Sequence, residues 1–389
     1  MRIERRWAGL RRLALSAIST AVLANTALAA PEEPEQTTTQ ATMRGIFVAL
    51  STAYTYSLDP DAFADPANRQ RIAEVLHALA TNTSGLEDHG GGLDASFDYL
   101  RRSLSRDAHD AARRFEQGNY IGSRFVLSKI TENCVTCHTK LPTKRQFDLG
   151  AAFVETADIK KLQPTARVNI EIATRQFDAA LETYEEILRS PDTTADDLAL
   201  FGVFESYLKI ALGALDDTQH PVRAFEEFAE RTDMPKNLMS SLEHWIETLN
   251  ALDLHNVEVG ELDAARGMVE HAVVDTRSGA DRSQLVDFVA ATTLLHRYLS
   301  TSPDDDLDVA EAYYLLGVAE SYISRSYWLS ETEFLLEKAI RRAPGSEVAK
   351  KAYAFLDEYT RSGYRVTPAR AVSPERQANL DELRQLIEN

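Results

Sequence analysis

The sequence predicts an all-α protein in two parts, an N-terminal four-helix bundle followed by a solenoid of paired helices. Three observations lead there. Apolar residues recur at helical spacing from about residue 41 onward, with no convincing strand alternation. In the first part, proline and glycine clusters interrupt that pattern at short intervals, so consecutive helices run antiparallel. In the second part a related phrase of residues keeps returning, as it does in stacked helix–turn–helix units.

The chain has 389 residues and 44% hydrophobic content, enough for two or three domains with real cores. Residues 1–29 read as a secretory signal: Arg2, Arg5, Arg6, Arg11 and Arg12 surround a short start, an apolar run follows from Leu13, and Ala27-Leu28-Ala29 supplies the small residues of a cleavage site after Ala29 or Ala30. The alternative is an uncleaved anchor, but Ser16, Ser19, Thr20, Asn25 and Thr26 break the run. A periplasmic location follows as the expectation, and no later stretch is apolar enough to span a bilayer. Residues 30–40 are Pro-, Glu- and Thr-rich with nothing to bury, the composition of a flexible linker.

Residues 41–142 divide into four amphipathic segments. The first places Met43, Ile46, Phe47, Leu50 and Tyr54 on one face and ends before Asp59-Pro60. The second carries Ile72, Val75, Leu76 and Leu79, with Asp65-Pro66 ahead of it as cap and first-turn proline, and Gly90-Gly91-Gly92 behind it. The third carries Phe97, Leu100, Leu104, Ala108, Ala111 and Phe115 and stops at Gly118. The fourth runs from Tyr120 through Phe125, Leu127 and Ile130 to Cys134, Cys137 and Leu141, where Pro142 ends it.

Residues 143–165 form a connector in which Phe147, Leu149 and Phe153 are expected to pack where the two parts meet. Over residues 166–360 the recurring phrase is an aromatic or Leu, a small residue three on, then apolar residues every three or four. It stands at Phe177–Ile187 before Pro191, at Gly260–Ala272, and over Tyr313–Pro344. These residues resemble the tetratricopeptide repeat, whose small residues let paired helices approach closely; the likeness covers about 200 residues, and no Trp opens any copy. In residues 361–389, Leu380, Leu383 and Leu386 form one stripe, as in a terminal capping helix.

Formal net charge is −18, and it is uneven: residues 1–30 contribute +4, residues 31–150 contribute −3 and residues 151–389 contribute −19. Acidity in the second part argues against nucleic acid or an anionic membrane as partner and favours partners with basic patches.

The chain has two cysteines, Cys134 and Cys137, too close together to staple distant segments. With His138 they complete Cys134-Val135-Thr136-Cys137-His138, the C-x-x-C-H spacing of covalent c-type haem attachment. On a helix, two cysteines three apart lie on nearly one face and can take the two vinyl groups of one porphyrin, while the next imidazole turns to the iron. A zinc site would need a second pair of soft ligands, and a redox dithiol would open a helix after a strand. One haem c is therefore the expected cofactor.

A motif near the end of the last helix of a bundle resembles the class II c-type cytochromes, the cytochrome c prime family. The likeness covers about residues 41–142, with a first helix opening at Thr42-Met43 and a second beginning near Asn68-Arg69. It implies His138 as proximal iron ligand. Members often carry an aromatic and then a basic residue three and four positions after the histidine, where this chain has Leu141 and Pro142. Low-spin relatives use a methionine near the start of the first helix, and Met43 resembles it. In an up-down-up-down bundle that position lies at the same end as His138. His89, in the loop after the second segment, is the rival sixth ligand; His77, His109 and the five histidines from His220 to His296 read as structural. Lys140, Lys144 and Arg145 follow the haem segment as a basic docking rim, propionate partners or plain solvated side chains.

The resulting expectation is an electron carrier without catalytic activity, a His/Met iron whose repeat domain docks a periplasmic redox partner. A five-coordinate protein binding nitric oxide or carbon monoxide, and an adaptor with a structural haem, are the alternatives.

Overall fold

The structure, a computed structural model, describes residues 38–86, 95–140, 150–151, 159, 162–200, 202–257, 260–276, 281–301, 306–324, 331–365 and 372–388. Among these residues the fold is all-helical, with no strand, and no helix is long and apolar enough to cross a membrane. The signal reading, Phe147, Leu149, Phe153, Lys144, Arg145 and His89 lie outside the described residues.

The first helix, α1 (Thr38–Ser57), begins ahead of the expected Ala41 and buries Ile46, Ala49, Leu50 and Ala53. This i, i+3, i+4, i+7 spacing gives one continuous apolar stripe. Asp59 then caps a short helix α2 (Pro60–Ala64), its Oδ1 accepting from the N–H groups of Asp61 and Ala62 at 2.9 and 3.2 Å. Pro60 occupies the first turn, where its missing N–H costs nothing.

Asp65-Pro66 does not cap the next helix, contrary to the sequence reading. Asp65 Oδ1 accepts from Ala67 N–H at 2.8 Å and Asp65 O accepts from Asn68 N–H at 3.0 Å, closing a β-turn with Asp first and Pro second. The helix α3 (Arg69–Ser84) starts only after that turn. Asp-Pro suits both structures, so the dipeptide alone does not choose between them.

Next come α4 (Ala95–Glu116) and α5 (Tyr120–His138). Between them Gly118 adopts φ +77°, with Gly118 N–H bonded to Phe115 O at 3.0 Å and Asn119 N–H to Arg114 O at 2.9 Å. That pair of bonds is a Schellman stop, which needs a left-handed residue and so favours glycine. Asn119 also caps α5, accepting from Gly122 N–H at 2.9 Å.

Helix α1 packs on α3, α3 on α4, α4 on α5 and α5 again on α1. Enclosed is a first core that includes Phe63, Ile72, Leu76, Leu79, Phe115, Leu127 and Ile130. Phe63 meets Phe115 edge-on at 5.1 Å, the geometry aromatic quadrupoles prefer.

The remaining helices are α6 (Pro164–Ala173), α7 (Phe177–Arg189), α8 (Ala195–Leu200), α9 (Val203–Leu208), α10 (Gln219–Ala229), α11 (Lys236–Ala251), α12 (Glu261–Asp275), α13 (Leu285–Thr301), α14 (Asp306–Ile323), α15 (Thr332–Arg342), α16 (Glu347–Arg365) and α17 (Pro374–Glu388). Consecutive helices pair: α6 with α7, α10 with α11, α12 with α13, α14 with α15. A π-helix over Lys209–Leu215 continues α9 and packs against α7 and α13. Together they share a second, larger core running from Val168 to Leu383. Leu380 and Leu383 seat α17 on α15 and α16.

Several contacts join the two cores. Tyr99 on α4 stacks on Phe334 of α15 at 4.9 Å, Ala95 N–H donates to Tyr313 Oη at 2.8 Å, and α5 packs on α6. Ile159, in the stretch read as a connector, forms a small third core with Tyr54 and Ile170.

Candidate functional site

The Cys134–His138 segment is the last part of α5, and hydrogen bonds hold it helical to its end. Thr136 Oγ1 donates to Glu132 O at 2.8 Å, and Thr139 N–H and Oγ1 both return to Val135 O, at 3.1 and 3.0 Å. Cys134, Cys137 and His138 are therefore held at helical spacing, with both cysteines half-buried and outside any disulfide. Cys134 packs against the first core, as does Met43, whereas Val135 packs against the second. The segment thus lies on the seam between the two cores.

His138 is buried and its Nδ1 lies 3.4 Å from Ile172 O at the end of α6. Donation from Nδ1–H to a carbonyl selects the tautomer whose Nε2 keeps its lone pair. Burial, and then the charge of Arg175, push the imidazole down to about 4, so it is neutral at physiological pH. Burial, and then the neighbouring Cys137, push the Cys134 thiol up to about 12. A thiol so far from ionising is a poor nucleophile for disulfide exchange.

The turn that receives His138 is a second Schellman stop. Arg175 N–H donates to Ile172 O at 2.9 Å and Gln176 N–H to Glu171 O at 2.7 Å, with Arg175 itself at φ +59°. Ile172 O therefore serves both the turn and the histidine. A non-glycine residue in this conformation costs about 1–2 kcal/mol.

No family model, no curated protein and no solved structure matches this chain.

Lys140 corrects the reading of a docking rim or a solvated lysine. It is buried, its Nζ 3.0 Å from Glu331 Oε2 and 3.1 Å from His296 Nε2. An ammonium has only donors, so His296 is the acceptor at Nε2. Nearby, Lys209 Nζ donates to Glu320 at 3.1 and 3.2 Å. Burial pushes Glu331 up, whereas Lys209 and Lys140 outweigh burial at Glu320 and hold it low. A small cavity lined by Thr139, Lys140, Lys209, Gly213, His296 and Glu320 lies among these groups. Gly213 is required there, since a Cβ would overlap the Thr139 carbonyl.

The other histidines among the described residues sit beside acids or backbone. His77 Nε2 pairs with Glu116 at 2.7 Å, His109 Nδ1 meets Ser105 O at 2.8 Å, and His220, His244, His255 and His271 each lie within 4.0 Å of an Asp or Glu oxygen. Among the described residues no group of three or more His, Cys, Asp or Glu is placed to hold a metal ion.

The residues missed from sequence are Ile172, Arg175, Lys209, Glu320 and Glu331. For Arg175 one signal existed: Thr174-Arg175-Gln176 joins two helices with neither Gly nor Asn available for the turn.

Proposed function

We propose that this chain is an exported mono-haem c-type cytochrome acting in electron transfer, with haem c held covalently at Cys134 and Cys137 and its iron by His138. The observation that carries the reading is the end of α5: two thiols and an imidazole at helical spacing, with His138 Nδ1 turned to the Ile172 carbonyl.

These residues fit the group. Cys134, kept protonated by burial, and the half-buried Cys137 stand at the spacing that thioether formation needs. A neutral imidazole whose other nitrogen faces a backbone carbonyl matches the support that metal-bound histidines receive from the surrounding protein. When bound, haem supplies one-electron exchange at iron. The chain's part is to orient His138 through Ile172, to exclude water by packing α5 between two cores, and to keep the imidazole unprotonated. Met43 is proposed as sixth ligand; it packs on the same core as Cys134, near the start of α1. His89 is its rival.

The finer architecture belongs to the same proposal. The closed circuit of α1, α3, α4 and α5 is read as a cytochrome-type four-helix bundle, and the paired helices that follow as a tetratricopeptide-like solenoid. Its net acidity suits docking of a periplasmic redox partner with a basic face.

Mass and spectrum of the purified mature chain test the reading. It is expected to be coloured and to exceed its polypeptide mass by one haem, while a Cys134→Ser/Cys137→Ser variant is colourless. A colourless wild-type chain of polypeptide mass sinks the proposal. Met43→Ala should convert a low-spin spectrum to high-spin; an unchanged spectrum removes Met43 and favours His89. A wild-type chain already high-spin supports the gas-binding alternative.

A further inference from the structure

Two Schellman stops among the described residues are built on the same pair of backbone bonds, but one uses Gly118 and the other Arg175. At Gly118 the residue type follows from the backbone: φ +77° has no penalty without a Cβ. At Arg175 the backbone gains nothing from the side chain, so the side chain's position is where a reason must lie.

That position is specific. The carbonyl that accepts Arg175 N–H at 2.9 Å is Ile172 O, the same atom that faces His138 Nδ1 at 3.4 Å. Arg175 is half-buried, and among the described residues it forms no ion pair with a carboxylate. The groups that register its charge are His138 and Cys137. The turn that meets His138 through Ile172 O thus carries a guanidinium with no carboxylate partner among the described residues. By contrast, the arginines at 167, 189, 231, 266, 282, 297, 341 and 384 each face an acid.

We infer that Arg175 is a binding residue for a carboxylate of the group attached at Cys134 and Cys137, so that the helical-repeat half completes the site begun by α5. This rests on the haem reading above. Haem c carries two propionates, and a planar guanidinium fork matches a carboxylate in two hydrogen bonds where an ammonium offers only a point charge.

A cation held beside the haem favours the reduced state, which carries one less positive charge at iron, so its removal lowers the midpoint potential. The test uses the full holoprotein with Arg175→Gly, Arg175→Lys and Arg175→Gln, read by potentiometric titration, covalent haem content and thermal unfolding. Arg175→Gly relieves the left-handed strain, so the expected result is an unfolding temperature equal to or above wild type together with a lower potential. Arg175→Gln should lower the potential similarly. Arg175→Lys, keeping the charge without the fork, should fall between. If Arg175→Gly leaves the potential of a haem-bearing protein unmoved, the inference is overturned while the haem reading stands. If the wild-type chain carries no haem, both fall.

Discussion

The first core and the seam that joins it to the second differ in kind. Inside the circuit of α1, α3, α4 and α5 the buried hydrophobic side chains form one cluster from Ile46 to Ile130, and the buried Asp107 and Asn133 bond to each other between α4 and α5. At the seam, beyond the end of α5, burial falls on Lys140, His296, Glu320 and Glu331, with Lys209 at the edge. Apolar packing is non-directional, so a core tolerates exchange of one hydrophobe for another of similar volume. Buried charges tolerate the loss of a partner badly, since the survivor cannot recover its water. The seam therefore specifies how the two halves meet, and the first core only that the helices cluster.

The largest expected effect comes from breaking the seam. Lys140→Met leaves Glu331 buried without its cation and is expected to destabilise the chain by about 3–5 kcal/mol in urea unfolding. Lys140→Met/Glu331→Leu, which removes both charges, should recover most of that loss. A double variant no more stable than the single one would show that the pair is not coupled.

A smaller effect sharpens the contrast at His138. Its folded value, about 4, lies below the ordinary 6.5 of histidine, so the unfolded chain binds the extra proton first on acidification. The stabilisation is complete above about pH 6.5 and is lost as pH falls toward 4, by about 3 kcal/mol at most. In a Cys134→Ser/Cys137→Ser background, stability should therefore fall more steeply over that window than in the same background carrying His138→Gln. Glu331, pushed up by burial, works in the opposite direction but equally in both proteins. Parallel curves would refute a buried, neutral His138.

The smallest of the three concerns steric fit. Gly213→Ala drives a methyl group into the Thr139 carbonyl, and is expected to cost about 1–3 kcal/mol. An unchanged unfolding midpoint would mean that the π-helix does not press on the end of α5.

How much of this was legible beforehand depended on the range of the signal. The stop at Gly118, the start at Tyr120 and the capping stripe of Leu380 and Leu383 were readable because each is set within a few residues. So was the C-x-x-C-H spacing. Asp65-Pro66 was misread because the same dipeptide opens helices and β-turns alike. Lys140 was misread because a lysine after a helix is ordinarily solvated, and its acid lies far along the chain. Arg175 gave only the negative signal of a turn lacking Gly and Asn, since left-handed arginine is what turn rules discourage.

By itself, then, the sequence determined the helical periodicity, several helix ends in the first part and the juxtaposition of Cys134, Cys137 and His138, all of which arise from neighbours along the backbone. Only the tertiary structure decided that His138 rests on the Ile172 carbonyl, that Lys140 is enclosed with Glu331 and His296, and that Arg175 shares that carbonyl with His138. The physical reason is that an amphipathic pattern states which face of a helix leaves water without naming the surface that will cover it. That choice is made by shape and charge brought together from distant parts of the chain.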